Sequence, residues 1–300
     1  MQEIANGLKF PEGPIALDDG SVVLVEIARG TLSRISPEGR VDVIAELGGG
    51  PNGAALGPDG AIYVCNNGGF AWGDHDGGLV PVGTPEDYSG GRIERVELDT
   101  GRVDVLYTEC DGQPLNGPND IVFDAHGGMW FTDLGKSYET YKDHGNIYYA
   151  KPDGAMISRQ LGHRETPNGI GLSPDERTLY YAETITGRVW AFDLEGPGQV
   201  AQGPEASRLV AGLPGFQLFD SLALDEAGNV CVATLVNGGI TSISPDGEHI
   251  EHFPMDDPFT TNICFGGENL RTAYITLSST GRLIATEWPR AGLPLNFLNK

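Results

Sequence analysis

The sequence predicts an all-β fold: a six-bladed β-propeller with about four antiparallel strands per blade. Three observations carry this expectation. Gly makes up 44 of the 300 residues and is spread along the whole chain, roughly twice the usual share. Apolar residues come in short alternating runs that flank Asp-Gly type turns, the pattern of β-hairpins. One such phrase recurs six times, and repeats of a few tens of residues mark solenoids and propellers.

The six copies begin at Glu12, Asn52, Asn119, Asn168, Asp220 and Asn262. Each reads as a polar residue, an alternating run, a turn and a second run, as in Asn119-DIVFDAHGGMWFTD and Asp220-SLALDEAGNVCVAT. A second phrase follows each copy, for example GTLSRISPEGRVDVIA and GITSISPDGEHIEHF, and supplies another strand, a turn and usually one more strand. Each repeat therefore covers about four strands over roughly 40 to 65 residues, the size of a propeller blade. The sixth copy ends early, at GRLIATEW, and the stretch EIANGLKF near the N-terminus is expected to supply its missing strand and close the ring. Residues 1–300 read as a single domain. Residues 66–91, NNGGFAWGDHDGGLVPVGTPEDYSGG, exceed a hairpin loop and form a long loop insertion of the kind that serves as a lid. Within it, Trp72-Gly-Asp74-His75-Asp76 reads as a flexible acidic loop, not as a metal site.

Charge narrows the partners. Asp plus Glu number 42 against 19 Lys plus Arg, a formal charge of −23. Such a surface repels nucleic-acid phosphates and anionic membranes. No run of 18 apolar residues is present, so no membrane-spanning helix is expected. Cys65, Cys110, Cys231 and Cys264 show no CxxC spacing, and MQEIANGLKF lacks a signal-peptide pattern. The expectation is a cytoplasmic protein with free thiols. There is no GxSxG, P-loop or GxGxxG motif.

In a propeller the innermost strand of every blade lines the central channel. The six polar residues in register are therefore expected to form a ring around it. Asn52-Gly53 and Asn168-Gly169 also read as ordinary turn formers. Glu12 and Asp220 fit that reading badly, because two carboxylates facing one narrow channel repel and lose hydration. A central cation resolves both costs. Glu12, Asn119, Asn168 and Asp220 can present oxygens only, a donor set suited to Ca²⁺, Mg²⁺ or Mn²⁺. The lack of His and Cys argues against a structural zinc site; a catalytic Zn²⁺ or Fe²⁺ stays open, and Ca²⁺ is the first expectation.

The segments FPEGP (10–14), NGPNDIVFDAHGGMWFTD (116–133), TPNGIGLSPDERTLYYAET (166–184), FDSLALDEAGNVCVAT (219–234) and FGGENLRTAYIT (265–276) span the whole chain. Together they resemble the SMP-30/gluconolactonase/LRE family of six-bladed propellers, which includes lactonases and organophosphate-hydrolysing relatives. The resemblance implies one divalent metal held by Glu12, Asn119, Asn168 and Asp220. It also implies hydrolysis of a lactone or related small-molecule ester. The metal would polarise the carbonyl, Asp220 would act as general base beside Ser221, and Asn119 and Asn168 would orient substrate and metal. Asn52 and Asn262 complete the ring as expected substrate contacts. Phe219, with Phe70, Trp72 and Phe216, is expected to wall the pocket. Sugar-lactone members often carry an Arg two residues before the Asn of N-D; Gly117 stands there in this chain, which points away from polyhydroxy lactones. The competing readings are a phosphotriesterase-like hydrolase on the same metal and a non-catalytic ligand-binding platform. Removing both carboxylates separates the enzyme readings from the platform.

Overall fold

The computed structural model describes residues 1–300, apart from the side chain of Pro204. Six antiparallel sheets follow one another in sequence, and each is a blade. The innermost strands are Pro11–Ala16, Pro51–Leu56, Pro118–Phe123, Pro167–Leu172, Leu218–Leu224 and Thr260–Gly266. Each touches the next, and the last touches the first, so the ring is closed. The expected closure is present: Gln2–Ala5 pairs with Arg282–Glu287 and completes blade 6. The first strand of the chain is thereby the outermost strand of the last blade, which ties the two ends of the ring together.

Large side chains fill the gaps between blades. Between blades 3 and 4, Trp130 and Tyr149 meet at 5.0 Å and share a buried cluster with Tyr181 and Leu179. A buried aromatic ring removes about 200 Å² from water, roughly 5 kcal/mol at 25 cal/mol/Å². All four cysteines are free and buried. Among the described residues, no helix is long and apolar enough to cross a membrane.

Every inner strand starts at the same end of the channel, where the second strand of its blade finishes. The pairs Pro11↔Glu26, Pro51↔Asn66, Pro118↔Asp133 and Pro167↔Glu183 mark this end. The tight Asp-Gly turns lie at the other end. A segment the repeats did not foretell closes that far end. Leu293 N donates to Leu224 O and Asn296 Nδ2 to Phe123 O, while Arg290 pairs with the buried Asp225 at 2.5 Å.

The insertion in blade 2 is more ordered than a loop. Ala71–His75 and Gly78–Gly83 form a hairpin, so the Trp72–Asp76 stretch, expected to be flexible, is largely strand. Leu79 N donates to Ser279 O in blade 6 at 3.0 Å, and Thr84 N to Ser137 O in blade 3 at 3.1 Å. The hairpin thus reaches from its own blade to loops of blades 6 and 3 at the end where the inner strands begin.

Candidate active site

The six polar residues lie at one level. Each stands four residues before the end of its inner strand. Each strand also carries a register irregularity at or beside that residue, such as between Glu12 and Ile15 or between Phe219 and Leu222. A β-bulge bends a strand and re-aims a side chain, which accounts for the shared level. The residue after the polar one lies against the next blade. A Cβ on Gly53 would sit 2.4 Å from Asn119 O, and one on Gly169 would sit 2.6 Å from Leu222 N. Glycine there lets neighbouring backbones approach and narrows the channel.

Ring members are bonded across blades. Asn262 Nδ2 donates to Glu12 Oε2 at 2.6 Å, and Gly13 N donates to the same oxygen. Asn168 Nδ2 donates to Thr184 Oγ1 at 3.1 Å, leaving its carbonyl oxygen toward Ser221 Oγ at 3.4 Å. Glu12, Asn52, Asn119, Asn168 and Asn262 are buried; Asp220 is half-buried.

One member of the site escaped the sequence reading. Asp120 takes the position held by Gly in blades 1, 2 and 4 and is buried. Its Oδ1 accepts from Ile121 N at 2.9 Å, and its own N–H donates to Thr132 Oγ1, which in turn donates to Asn168 O at 2.6 Å. Burial pushes its carboxyl up to about 7, against hydrogen bonds from Ile121, Ile170, Ser221 and Leu222. Asp220 is also pushed up to about 7, by desolvation first and by the charge of Asp120. Desolvation raises Glu12 as well, reinforced by Asp220 and Asp120. The N-D pair in Asn119-Asp120 was the available signal for this third carboxylate.

Two oxygens of the ring stand without a partner. Glu12 Oε1 and Asn119 Oδ1 are buried acceptors with no hydrogen-bond partner. Orphaned buried acceptors are costly, and a cation removes that cost. The residues therefore fit a divalent metal. Among the described residues no three His, Cys, Asp or Glu side chains form a metal-binding group, so the amide oxygens would have to share the coordination.

Other expected site residues lie elsewhere. Phe219 is wholly buried and packs with Val189, Ala211 and Leu222 in the core; it leaves no surface for substrate. Its neighbour Asp220 points to the channel level, and side chains alternate along a strand. Phe70 and Trp72 pack with each other and, through Trp72, against Phe10 at 5.1 Å. Phe216 is exposed. Beneath the ring lies a cavity of about 100 Å³, lined by Asp120, Ile121, Ile170, Leu222 and Asn262 and bounded by Leu293–Asn296.

Second-strand ends brace the entry to the ring. Asp133 accepts from Asn116 N, Gly117 N and Gly135 N at 2.7–2.9 Å, which fixes the turn leading to Asn119. A Cβ at Gly117 would lie 2.7 Å from Gly135 O, so no side chain is accommodated there in this backbone arrangement.

Fold and ring together define a six-bladed propeller whose channel opens through a collar of carboxylate and amide groups. The sequence model for the SMP-30/Gluconolactonase/LRE-like region matches residues 10–279, and the chain belongs to that family. It is 25% identical to a gluconolactonase of Zymomonas mobilis, over 93% of this chain and 79% of that protein. It is 28% identical to the lactonase drp35 of Staphylococcus saprophyticus, over 79% of this chain and 67% of that protein. A gluconolactonase structure from Xanthomonas campestris superposes with a TM-score of 0.75 at 23% identity, covering 95% of this chain and 88% of that one. The calcium-binding regucalcin of Agrobacterium tumefaciens gives 0.72 at 17% identity, covering 98% and 97%. The two structural likenesses establish the fold.

Proposed function

We propose that this protein is a lactonase that opens a cyclic ester at the ring, with one divalent cation, Ca²⁺ first, held by Glu12, Asn119, Asn168 and Asp220. The observation that carries this is the pair of stranded acceptors, Glu12 Oε1 and Asn119 Oδ1, in the collar that holds half-buried Asp220. The gluconolactonase and lactonase relatives support the reaction class. The bound cation would polarise the ester carbonyl and stabilise the oxyanion.

The chain's own groups do the rest. Asp220 is the ring carboxylate with accessible surface, and its Oδ1 is held by Ser221 N at 3.1 Å. A base with a pKa near neutral both exists as carboxylate and retains useful basicity. Asp220 would take the proton of the attacking water and return it to the alkoxide leaving group. Asn168, tied to Thr184 and Ser221, and Asn119, braced through the Asp133 turn, would fix substrate orientation. Asn262 holds Glu12 in place through its amide.

The test is lactone hydrolysis by chelator-stripped protein with Ca²⁺, Mg²⁺, Mn²⁺, Zn²⁺ or Fe²⁺ restored singly, beside calorimetric metal titration. Turnover restored by a metal and lost by at least about 10³-fold in Asp220→Asn is expected. Undiminished turnover in Asp220→Asn overturns its role as base. Phosphotriesters turned over in preference to lactones would replace the substrate class.

A further inference from the structure

We infer that Thr132 is a positioning residue: its hydroxyl sets the spacing of Asn119 and Asn168 across the seam between blades 3 and 4. The inference rests on the metal reading of the ring and names the group that holds two of its donors in place.

The bulge in blade 3 creates the need. Pro118 pairs with Asp133 and Ile121 with Phe131, so Asn119 and Asp120 together face the single residue Thr132. Such a bulge interrupts the ladder and leaves a main-chain group without its cross-strand partner. Blade 4 repeats the pattern: Pro167 pairs with Glu183 and Ile170 with Tyr181, so Asn168 and Gly169 face Ala182 alone. Buried main-chain donors and acceptors left unpaired are costly.

One hydroxyl answers both bulges. Asp120 N donates to Thr132 Oγ1 at 3.1 Å, and Thr132 Oγ1 donates to Asn168 O at 2.6 Å. A hydroxyl carries one proton. Here it goes to Asn168 O, which leaves a lone pair to accept from Asp120. Asp120 N belongs to the planar peptide unit that starts at Asn119 Cα, and Asn168 O to the unit that starts at Asn168 Cα. The strut therefore holds the two peptide planes from which both amide side chains spring, and Thr132 is wholly buried. Its neighbour Asp133 accepts from Asn116 N and Gly117 N. Consecutive residues of one strand thus fix the main chain on both sides of Asn119.

The place is distinctive among the blades. Cys65, Ala182 and Ala233 face the corresponding bulges of blades 2, 4 and 5. Alanine has nothing to donate. Cys65 Sγ also reaches the next blade, to Asp120 O, but at 3.7 Å and as a weak donor. The short strut falls between the two amides assigned to the metal.

The experiment titrates chelator-stripped protein with Ca²⁺ by calorimetry, beside kcat and KM for a lactone at saturating metal. Thr132→Val keeps the shape and removes the hydroxyl; Thr132→Ser keeps the hydroxyl and removes a methyl. Thr241→Val is the comparison, because that hydroxyl is also buried and bonded twice, to Thr234 and His252, on the third strand of blade 5. Losing a group that orients metal ligands weakens metal binding by about 10–100-fold. Thr132→Val is expected to bind Ca²⁺ at least about tenfold more weakly and to lose kcat with little change in KM, while Thr132→Ser and Thr241→Val stay within about threefold of wild type. Wild-type Ca²⁺ affinity in Thr132→Val, even with a lower melting temperature, makes the residue merely structural and overturns the inference. Equal losses in Thr132→Val and Thr132→Ser also overturn it, because packing then accounts for them. Where Thr132→Val does not fold, Thr132→Cys takes its part, carrying the group blade 2 has in that place; an intermediate loss is expected and wild-type affinity overturns the inference. A wild type that binds Ca²⁺ but opens no lactone overturns the lactonase reading alone, and the calorimetry still decides the role of Thr132. A wild type that binds no Ca²⁺ overturns the placement of Ca²⁺ at the ring and this inference with it.

Discussion

Lys136 Nζ donates to the carbonyl oxygen of Gly69 at 2.6 Å, although the two residues are 67 positions apart. The same ammonium reaches Asn67 O at 3.0 Å and stands 4.5 Å from the ring centre of Phe70 and 5.0 Å from that of Tyr88. A buried cation on blade 3 thus grips both ends of the blade 2 insertion. Lys136→Met would strand two buried carbonyls, at about 2 kcal/mol. Faster proteolysis within residues 66–91 is expected, with a KM increase larger than any fall in kcat.

Lys136 also predicts a pH signature. Burial lowers its pKa from 10.5 to about 8, while Asp133 and Asp143 oppose the shift. Between those values the unfolded chain holds a proton that the native protein has released. This group's contribution to stability therefore rises with pH across that window. The stability difference between wild type and Lys136→Met should grow from about pH 8 to pH 10 in urea titrations.

The ring carboxyls predict the opposite slope in metal-free protein. Asp120 and Asp220 are raised from 3.8 to about 7, so the native state keeps protons that the unfolded chain loses. Their stabilising contribution is full below about pH 4 and is lost as pH rises toward 7. Chelated protein should melt lower at pH 8 than at pH 5.5, and Ca²⁺ should raise the melting temperature more at pH 8. Asp120→Asn should flatten the dependence. It should also move the acidic limb of the rate profile to lower pH, because Asp220 loses a like-charged neighbour.

Gly53→Ala places a methyl 2.4 Å from Asn119 O and 2.6 Å from Asp120 Cα. The backbones of blades 2 and 3 must separate at the level of the ring. A loss of about 1–3 kcal/mol is expected, together with weaker metal binding by calorimetry. Gly60→Ala makes a useful comparison: no heavy atom stands within 4 Å of the added methyl, so that variant reports only the strain of its φ of +77°.

Arg290→Ala would leave Asp225 buried without its cation. That carboxylate also accepts from Ala227 N and from Asn229 N and Nδ2, so hydrogen bonds offset part of the loss. About 3 kcal/mol is expected, read as a lower denaturation midpoint with an unchanged slope.

The blades were legible because their information is local: an alternating run, a turn, and a polar residue at a fixed distance from it. The ring was legible because the same position repeats, so Glu12 and Asp220 could be placed at one level before any contact was known. Lys136 was not legible, since a lone lysine in a loop says nothing of carbonyls on another blade. Asp120 is harder to read, because it replaces the glycine that blades 1, 2 and 4 carry at that position and so falls outside the repeated pattern. Phe219 is expected among the apolar pocket walls, but alternation along its strand sends it into the core. The segment that closes the far end has no repeat to reveal it.

The 2.6 Å bond between Asn262 and Glu12 joins residues 250 positions apart. During synthesis Glu12 leaves the ribosome early and then waits, its partner still unmade. Five finished blades would hold most of the collar but not the amide that restrains Glu12, and the first strand would have no sheet to join. Competence therefore comes late and all at once, when the sixth blade is released, and a prematurely terminated chain is left with an acidic cleft instead of a working channel.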